Sequence, residues 1–206
     1  MSARFLVQRI LQPAGTHSRI LEVGAGRSIV APVLTETGRK LRTLTLLDKS
    51  AAMLAHSFKW KDRGVGMIIA DARSTSLSSA TYDVVVASLC DPYNQIPFWQ
   101  EIQRLLVSGG ICLVTLPAPE WVARFRKKDV ADTAEFLLAD GRLVAMPSFV
   151  PSVHSQLTMI QKTGLSVSEI VAFTTTDLTG SVSPKLNVFT PGGDGAVLRG
   201  YTVVKS

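Results

Sequence analysis

Cysteine is scarce in this chain, with two among 206 residues, Cys90 and Cys112. Both stand in apolar, strand-like contexts, and nothing around them has the spacing of metal ligands. They fit buried thiols in a reducing compartment better than a disulfide, and no metal centre is expected. Long apolar runs are missing too. None approaches the roughly 20 residues that cross a bilayer, so no membrane association is expected. Residues 1–13 hold Arg4 and Arg9 but no acid, a composition shared with organelle presequences. Phe5, Leu6, Ile10 and Leu11 nevertheless fall on one helical face, and the first strand pattern follows almost at once. Residues 1–17 are therefore read as a helix packed on the domain, and the protein as soluble and cytoplasmic. Repeats and a linker are also lacking, and an apolar content of 46% suits one domain spanning residues 1–206 with a sizeable core.

Acids are outnumbered: 16 Asp and Glu stand against 22 Lys and Arg, a net charge of +6. A surplus of that size attracts anions, which makes nucleic acid a candidate partner. The charges are scattered, however. The densest groups, Arg39-Lys40-Leu41-Arg42, Lys59-Trp60-Lys61-Asp62-Arg63 and Arg124-Phe125-Arg126-Lys127-Lys128, read first as solvated surface. No appended binding domain and no basic stripe interleaved with aromatics is evident. No nucleophile triad can be assembled, and His17 and His56 are read as structural.

What the chain does have is alternation. Apolar strand patterns at 20–23, 41–47, 66–70, 82–88 and 111–116 are separated by helical patterns at 28–37, after Ser50, and at 96–107. Strands joined through helices imply a parallel sheet with both faces covered. The end of the chain breaks this rhythm. A helix at 155–163 leads to a strand at 165–174, and a Gly/Pro/Thr/Ser-rich stretch then passes directly into a strand at 196–204. Two strands in sequence without a crossover helix should be antiparallel neighbours. Residues 118–151 do not fit the repeating unit and read as an inserted segment that covers a substrate. Within it a helix is expected over 129–140, and Trp121 and Phe125 read either as an apolar lid or as an anchor on the sheet.

The first strand ends in Glu22-Val23-Gly24-Ala25-Gly26-Arg27-Ser28, a glycine turn that lets a ligand approach the backbone. The second ends in Leu46-Leu47-Asp48-Lys49-Ser50, followed by Ala52-Met53-Leu54. Ala70-Asp71-Ala72 closes the third, Tyr82-Asp83-Val84-Val85-Val86-Ala87-Ser88 is the fourth, and Leu105-Leu106-Val107-Ser108-Gly109-Gly110 introduces the fifth. In this order the motifs resemble those of the class I S-adenosylmethionine-dependent methyltransferases, over roughly residues 18–116. The resemblance implies a Rossmann-like α/β fold: a seven-stranded, mostly parallel sheet with helices on both faces and an antiparallel C-terminal strand. It implies S-adenosyl-L-methionine as cofactor, met by Glu22, Gly24, Ala25, Gly26, Asp48, Lys49, Met53, Asp71, Ala72 and Ser88. Asp48 would take the ribose hydroxyls, Glu22 the amino group, and Asp71 the adenine, with Met53 as an apolar wall. A nicotinamide dinucleotide fits less well, because its fingerprint needs a third glycine where Ile29 stands, and a second nucleotide-binding half is missing.

Methyl transfer from a sulfonium is an in-line displacement, in which the protein aligns the acceptor and excludes water. The acceptor should lie beyond the fourth strand, where Asp91-Pro92-Tyr93 partly matches the Asp-Pro-Pro-Tyr motif of amino-group methyltransferases. Asp91 and Tyr93 are candidates for the acceptor pocket, and His154 is a candidate base from the inserted segment. A small-molecule acceptor is the leading expectation. Methylation of RNA, DNA or protein through Asp91-Pro92-Tyr93, and a non-catalytic cofactor-binding or scaffold role, are the alternatives. The oligomeric state, monomer or homodimer, stays open.

Overall fold

The structure, a computed structural model, describes residues 5–6, 9–10, 18–126, 132–138, 140–177 and 195–206. Strand β1 (Ile20–Val23) is buried along its whole length, as a strand covered on both faces must be. It pairs in parallel with β2 (Leu44–Asp48) on one side and β4 (Tyr82–Ala87) on the other. Beyond β2 lies β3 (Gly66–Ile69), and beyond β4 lies β5 (Leu106–Pro117), both parallel. β9 (Leu198–Lys205) joins β5 antiparallel, and β8 (Leu165–Phe173) pairs antiparallel with β9. The order is β3-β2-β1-β4-β5-β9-β8, so the expected seven-stranded sheet and its closing antiparallel pair are both present.

Helices α1 (Val30–Glu36), α2 (Ala51–Ala55), α3 (Ile96–Leu105), α4 (Pro119–Val122) and α5 (Val153–Gln161) follow the chain order. Because side chains alternate across a strand, β4 feeds two cores. Val84 and Val86 join Val30, Leu34 and Leu46 in one, while Val85 joins Phe98, Trp99, Ile102 and Ile160 in the other. Cys90 and Cys112 are buried free thiols, and burial pushes both well above the usual thiol range. The start of the chain packs on the last strands. Phe5, Leu6 and Ile10 are buried, and Phe5 meets Phe173 edge-on at 6.0 Å. Arg9 Nε donates to Glu169 Oε2 at 2.7 Å. Leu11 and the rest of residues 11–17 lie outside the described residues, as do residues 178–194 of the Gly/Pro-rich stretch.

Two expectations are corrected. Residues 129–140 are not a helix where they are described: β6 (Thr133–Leu137) pairs antiparallel with β7 (Leu143–Pro147) in a separate hairpin. Gly141 at φ +84° closes the turn, and Asp140 Oδ1 accepts from Arg142 N at 3.0 Å. Turn chemistry and cross-strand pairing thus override the helix-favouring Ala134-Glu135-Phe136-Leu137. Second, Gly109-Gly110 does not precede the fifth strand but interrupts it. Leu106 pairs with Tyr82, and pairing resumes at Ile111 with Val84 after a bulge.

Candidate active site

After β1 the chain turns back on itself through Gly24 at φ +62° and Gly26 at φ +39°, a region that residues with a β-carbon rarely enter. Backbone bonds hold the turn against β2: Ala25 N donates to Leu47 O at 3.0 Å, and Gly26 N donates to Asp48 Oδ2 at 2.9 Å. Ser57, fully buried, fastens it from below, donating to Gly26 O at 2.7 Å and accepting from Ser28 N at 2.9 Å. Nothing in the local sequence marks Ser57, which arrives from 31 positions away.

Glu22 lies beneath this turn rather than in the open crevice. Its carboxylate accepts from Ile29 N at 2.9 Å, from Val30 N at 3.4 Å and from the Ser28 hydroxyl. It therefore holds the free amides at the start of α1. Burial pushes its pKa up to about 7, against the opposing pull of those three donors. Asp48 stands at the mouth. Each of its oxygens takes one backbone donor, Ser50 N on Oδ1 at 2.8 Å and Gly26 N on Oδ2. Asp71, past β3, is gripped by Arg73, whose Nε and Nη2 donate to its two oxygens at 2.9 and 2.7 Å. Lys49 Nζ adds a contact at 3.4 Å. The Arg73 guanidinium holds the Asp71 carboxyl well below the usual carboxylate range. Ala72 beside it is buried. Met53 lies half-exposed over the turn: a β-carbon on Gly26 would sit 3.2 Å from Met53 Cε and 3.8 Å from Asp48 Oδ2. Ser88, at the end of β4, accepts from Thr115 Oγ1 at 3.5 Å. The next residue, Leu89, holds φ +52°, with its N–H donating to Thr115 Oγ1 at 3.0 Å. The structure thus gathers Gly24, Gly26, Asp48, Met53, Asp71 and Ser88 at the C-terminal ends of β1 to β4. That is the crevice where the strand order reverses between β1 and β4, the usual ligand position in an open α/β sheet.

Asp91 and Tyr93 frame the adjoining side, on a single turn spanning Asp91–Tyr93. Tyr93 Oη donates to Val23 O at 3.2 Å, and a β-carbon on Gly24 would lie 2.6 Å from that oxygen. Gly24 is thus needed for Tyr93 to pack as well as for the turn. Burial pushes the Tyr93 phenol well above its ordinary range, so at neutral pH it is a hydrogen-bond donor. Asp91 Oδ2 accepts from Ser148 Oγ at 2.6 Å, and Arg126 Nη2 donates to that same hydroxyl at 2.6 Å. Burial pushes the Asp91 carboxyl up, while the Ser148 bond and the Arg126 charge oppose it. The inserted segment is also tied by its backbone, Phe149 N to Asp91 O at 2.8 Å. Beside it, Asn94 donates to Phe149 O and Gln156 Oε1 and accepts from Trp99 Nε1 and Gln156 Nε2, at 2.8 to 3.2 Å.

His154 is not in this network. It is exposed on α5, and the buried members of that helix are Gln156 and Ile160. Positions two apart on a helix point to different sides, so a helix that buries Gln156 turns His154 out. Trp121 packs against the core that contains Phe5, Val197 and Leu198, which makes it an anchor for the segment. Sequence reasoning missed Ser57, Arg73, Ser148 and Gln156. Of these, only Arg73, two residues from its partner, left a local signal.

Residues 21–114 match the family described as a methyltransferase domain. Among solved structures, an S-adenosylmethionine-dependent methyltransferase from Mesorhizobium loti is similar at 18% identity and a TM-score of 0.70, covering 98% of this chain and 97% of the other. The CcbJ methyltransferase from Streptomyces caelestis reaches a TM-score of 0.70 at 16% identity, over 100% of this chain and 90% of its own. Geranyl diphosphate C-methyltransferase from Streptomyces coelicolor A3(2) reaches 0.70 at 13% identity, over 99% and 79%. No curated protein matches the chain. Over residues 21–114 the chain is similar to that methyltransferase family, and as a whole it has the fold of the class I S-adenosylmethionine-dependent methyltransferases.

The residues present suit that cofactor. Asp48 keeps lone pairs on both oxygens for two ribose hydroxyls, since each oxygen holds one backbone donor. Gly26 offers bare backbone beside it, and Met53 supplies an apolar wall.

Proposed function

We propose that this protein transfers a methyl group from S-adenosyl-L-methionine to a small-molecule acceptor bound between the loop after β4 and the 118–151 segment. The bond from Ser148 to Asp91 Oδ2 carries the reading, because it draws the inserted segment over the exit of β4. Next to it lies a cavity of about 500 Å³ whose walls include Ile96, Phe149 and Met159, with Asn94, Gln95 and Asp132 as polar groups. A mostly apolar recess of this size with a few polar groups suits a small ligand.

The chemistry that the bound cofactor supplies is an electrophilic methyl group on sulfur. The chain's own part is positioning. Asp48 would hold the ribose, Gly24 and Gly26 the close backbone approach, and Met53 one side of the adenine. Arg73 and Lys49 occupy Asp71, so that carboxylate would orient the loop more than read the adenine amino group. Asp91 is the acceptor-side group suited to holding a proton: it is half-buried, raised in pKa and linked to Ser148. Tyr93 stays protonated and fixes the floor. Two features weigh against a nucleobase acceptor. Asp91 is already engaged by Ser148, and the Tyr93 ring is packed edge-on against Phe98 at 5.0 Å, which leaves it unsuited to stacking on a base.

Incubation with methyl-labelled S-adenosylmethionine and a fractionated cell extract tests this. Label is expected in the small-molecule fraction, and Asp91→Asn should lower its incorporation. Label confined to RNA, DNA or protein would overturn the small-molecule reading. The cytoplasm is the proposed compartment, on the strength of the two reduced, buried thiols.

A further inference from the structure

A second cavity, of about 340 Å³, opens at the opposite end of the sheet and is lined by Arg19, Arg42, Thr43, Thr45, Thr81 and Tyr82. These residues stand at the starts of β1, β2 and β4. The register Ile20↔Leu44 and Ile20↔Val84 sets Arg19 between the other two strand starts. The glycine turn and Asp48 stand at the far ends of the same strands, roughly 15 Å away at about 3.3 Å per residue. The cavity is therefore separate from the cofactor crevice.

Its chemistry is specific. Arg19 and Arg42 are exposed, and among the described residues neither guanidinium forms an ion pair or a hydrogen bond. The acid at these strand starts is Asp83, whose Oδ2 is taken by the backbone N–H of Arg19 at 2.7 Å. The Thr43 hydroxyl donates to Lys40 O at 2.9 Å, and the Thr81 hydroxyl donates to Ser78 O at 2.9 Å and to Ser79 O at 3.2 Å. A hydroxyl whose proton is committed can only accept from a ligand. The cavity thus offers two cationic forks that seek an anion and two oxygens that seek a donor. Guanidinium groups match phosphate oxygens in bidentate geometry. The complementary ligand carries both a phosphate and free hydroxyls.

We propose that this cavity is a second binding site, for the phosphate monoester of a polyhydroxylated molecule such as a sugar phosphate or a nucleotide end. The phosphate lies between Arg19 and Arg42, and ligand hydroxyls donate to Thr43 and Thr81.

Calorimetry with ribose 5-phosphate, inorganic phosphate and ribose tests it on the whole protein, with and without saturating S-adenosylmethionine. Ribose 5-phosphate is expected to bind more tightly than inorganic phosphate, and to bind equally well when the cofactor is present. Ribose should give no heat. Affinity should fall by roughly tenfold or more in Arg19→Gln/Arg42→Gln, as loss of charge-assisted bonds requires. Thr43→Val should lower binding of ribose 5-phosphate but not of phosphate. Unchanged binding in a double variant with wild-type circular dichroism overturns the proposal, as does competition by S-adenosylmethionine. Equal affinity for phosphate and ribose 5-phosphate removes the hydroxyl part. Displacement of ribose 5-phosphate by a 5′-phosphorylated trinucleotide would support the site with a nucleic-acid end as its source. A failure to displace would support it with a free metabolite.

Discussion

Two glycines a residue apart do different work. At Gly24 a β-carbon would meet the Tyr93 hydroxyl oxygen at 2.6 Å, a distance real β-carbons do not adopt, while at Gly26 the nearest atom is the end of flexible Met53 at 3.2 Å. Both positions carry backbone strain for any other residue, about 1–3 kcal/mol each. Gly24→Ala must also displace the partly buried Tyr93 ring. Gly24→Ala should therefore lower the melting temperature more than Gly26→Ala, and Gly109→Ala, whose β-carbon meets nothing within 4 Å, should register only the strain. Equal shifts in the three variants would show that Tyr93 is not held as described. Glu22 gives a second residue-level expectation. Its pKa is raised from 4.5 to about 7 in the folded chain, so the native state keeps a proton that the unfolded chain has released. Stability from this group is fully present below about pH 4.5 and is lost as pH rises through 7. The loss is on the order of 3 kcal/mol at about 1.4 kcal/mol per unit. Urea unfolding at pH 5 and pH 8 should show a smaller decline in Glu22→Gln than in the wild type, and parallel declines would contradict the assignment.

At the scale of elements, the β6–β7 hairpin is fastened to the loop after β4 through Ser148. Ser148→Ala removes a donor to Asp91 and an acceptor from Arg126, a loss of roughly 1–3 kcal/mol for a buried polar pair. Limited proteolysis should then cut within β6 and β7 faster, with affinity for S-adenosylmethionine kept. Unchanged cleavage would mean that the Asp91 and Asn94 contacts of Phe149 suffice alone. The hairpin also marks where the sequence became hard to read. Val84-Val85-Val86 announces a buried strand because β-branched residues without a polar face suit little else, and Asp48 announces the end of β2, where the apolar run gives way to an acid. Glu135-Phe136-Leu137-Leu138 has no such constraint, and its partner strand decides its conformation. The site divides in the same way. The glycine turn and Asp48 are legible because each is a local device at a strand end. Ser57, Ser148 and Gln156 are not, because folding brings them from 31, 57 and 62 positions away. His154 was misleading for a geometric reason, since helix phase turns it away from Gln156.

For the whole molecule, the sheet order puts every cofactor-side candidate at one end and the Arg19–Arg42 cavity at the other. The positive charge is distributed accordingly: Arg73 and Lys49 are engaged at the crevice, while Arg19 and Arg42, at the other end, have no ion-pair partner among the described residues. Phe5, packed on Phe173, and β8–β9 lie at the edge of the sheet away from β1, so binding at the crevice should not depend on them. Gly200→Ala would place a β-carbon 2.7 Å from Phe5 Cε2, and it should loosen that corner, seen as a lower melting temperature, while leaving cofactor affinity intact. A parallel loss of affinity would couple the two ends of the sheet. The central claim is that the crevice built by Gly26 and Asp48 holds S-adenosylmethionine. Titration calorimetry of the wild type beside Asp48→Ala tests it most directly. Saturable binding in the wild type, weaker by roughly tenfold or more in the variant, is the expected result. Equal affinities, or no heat from the wild type at about millimolar cofactor, would contradict it.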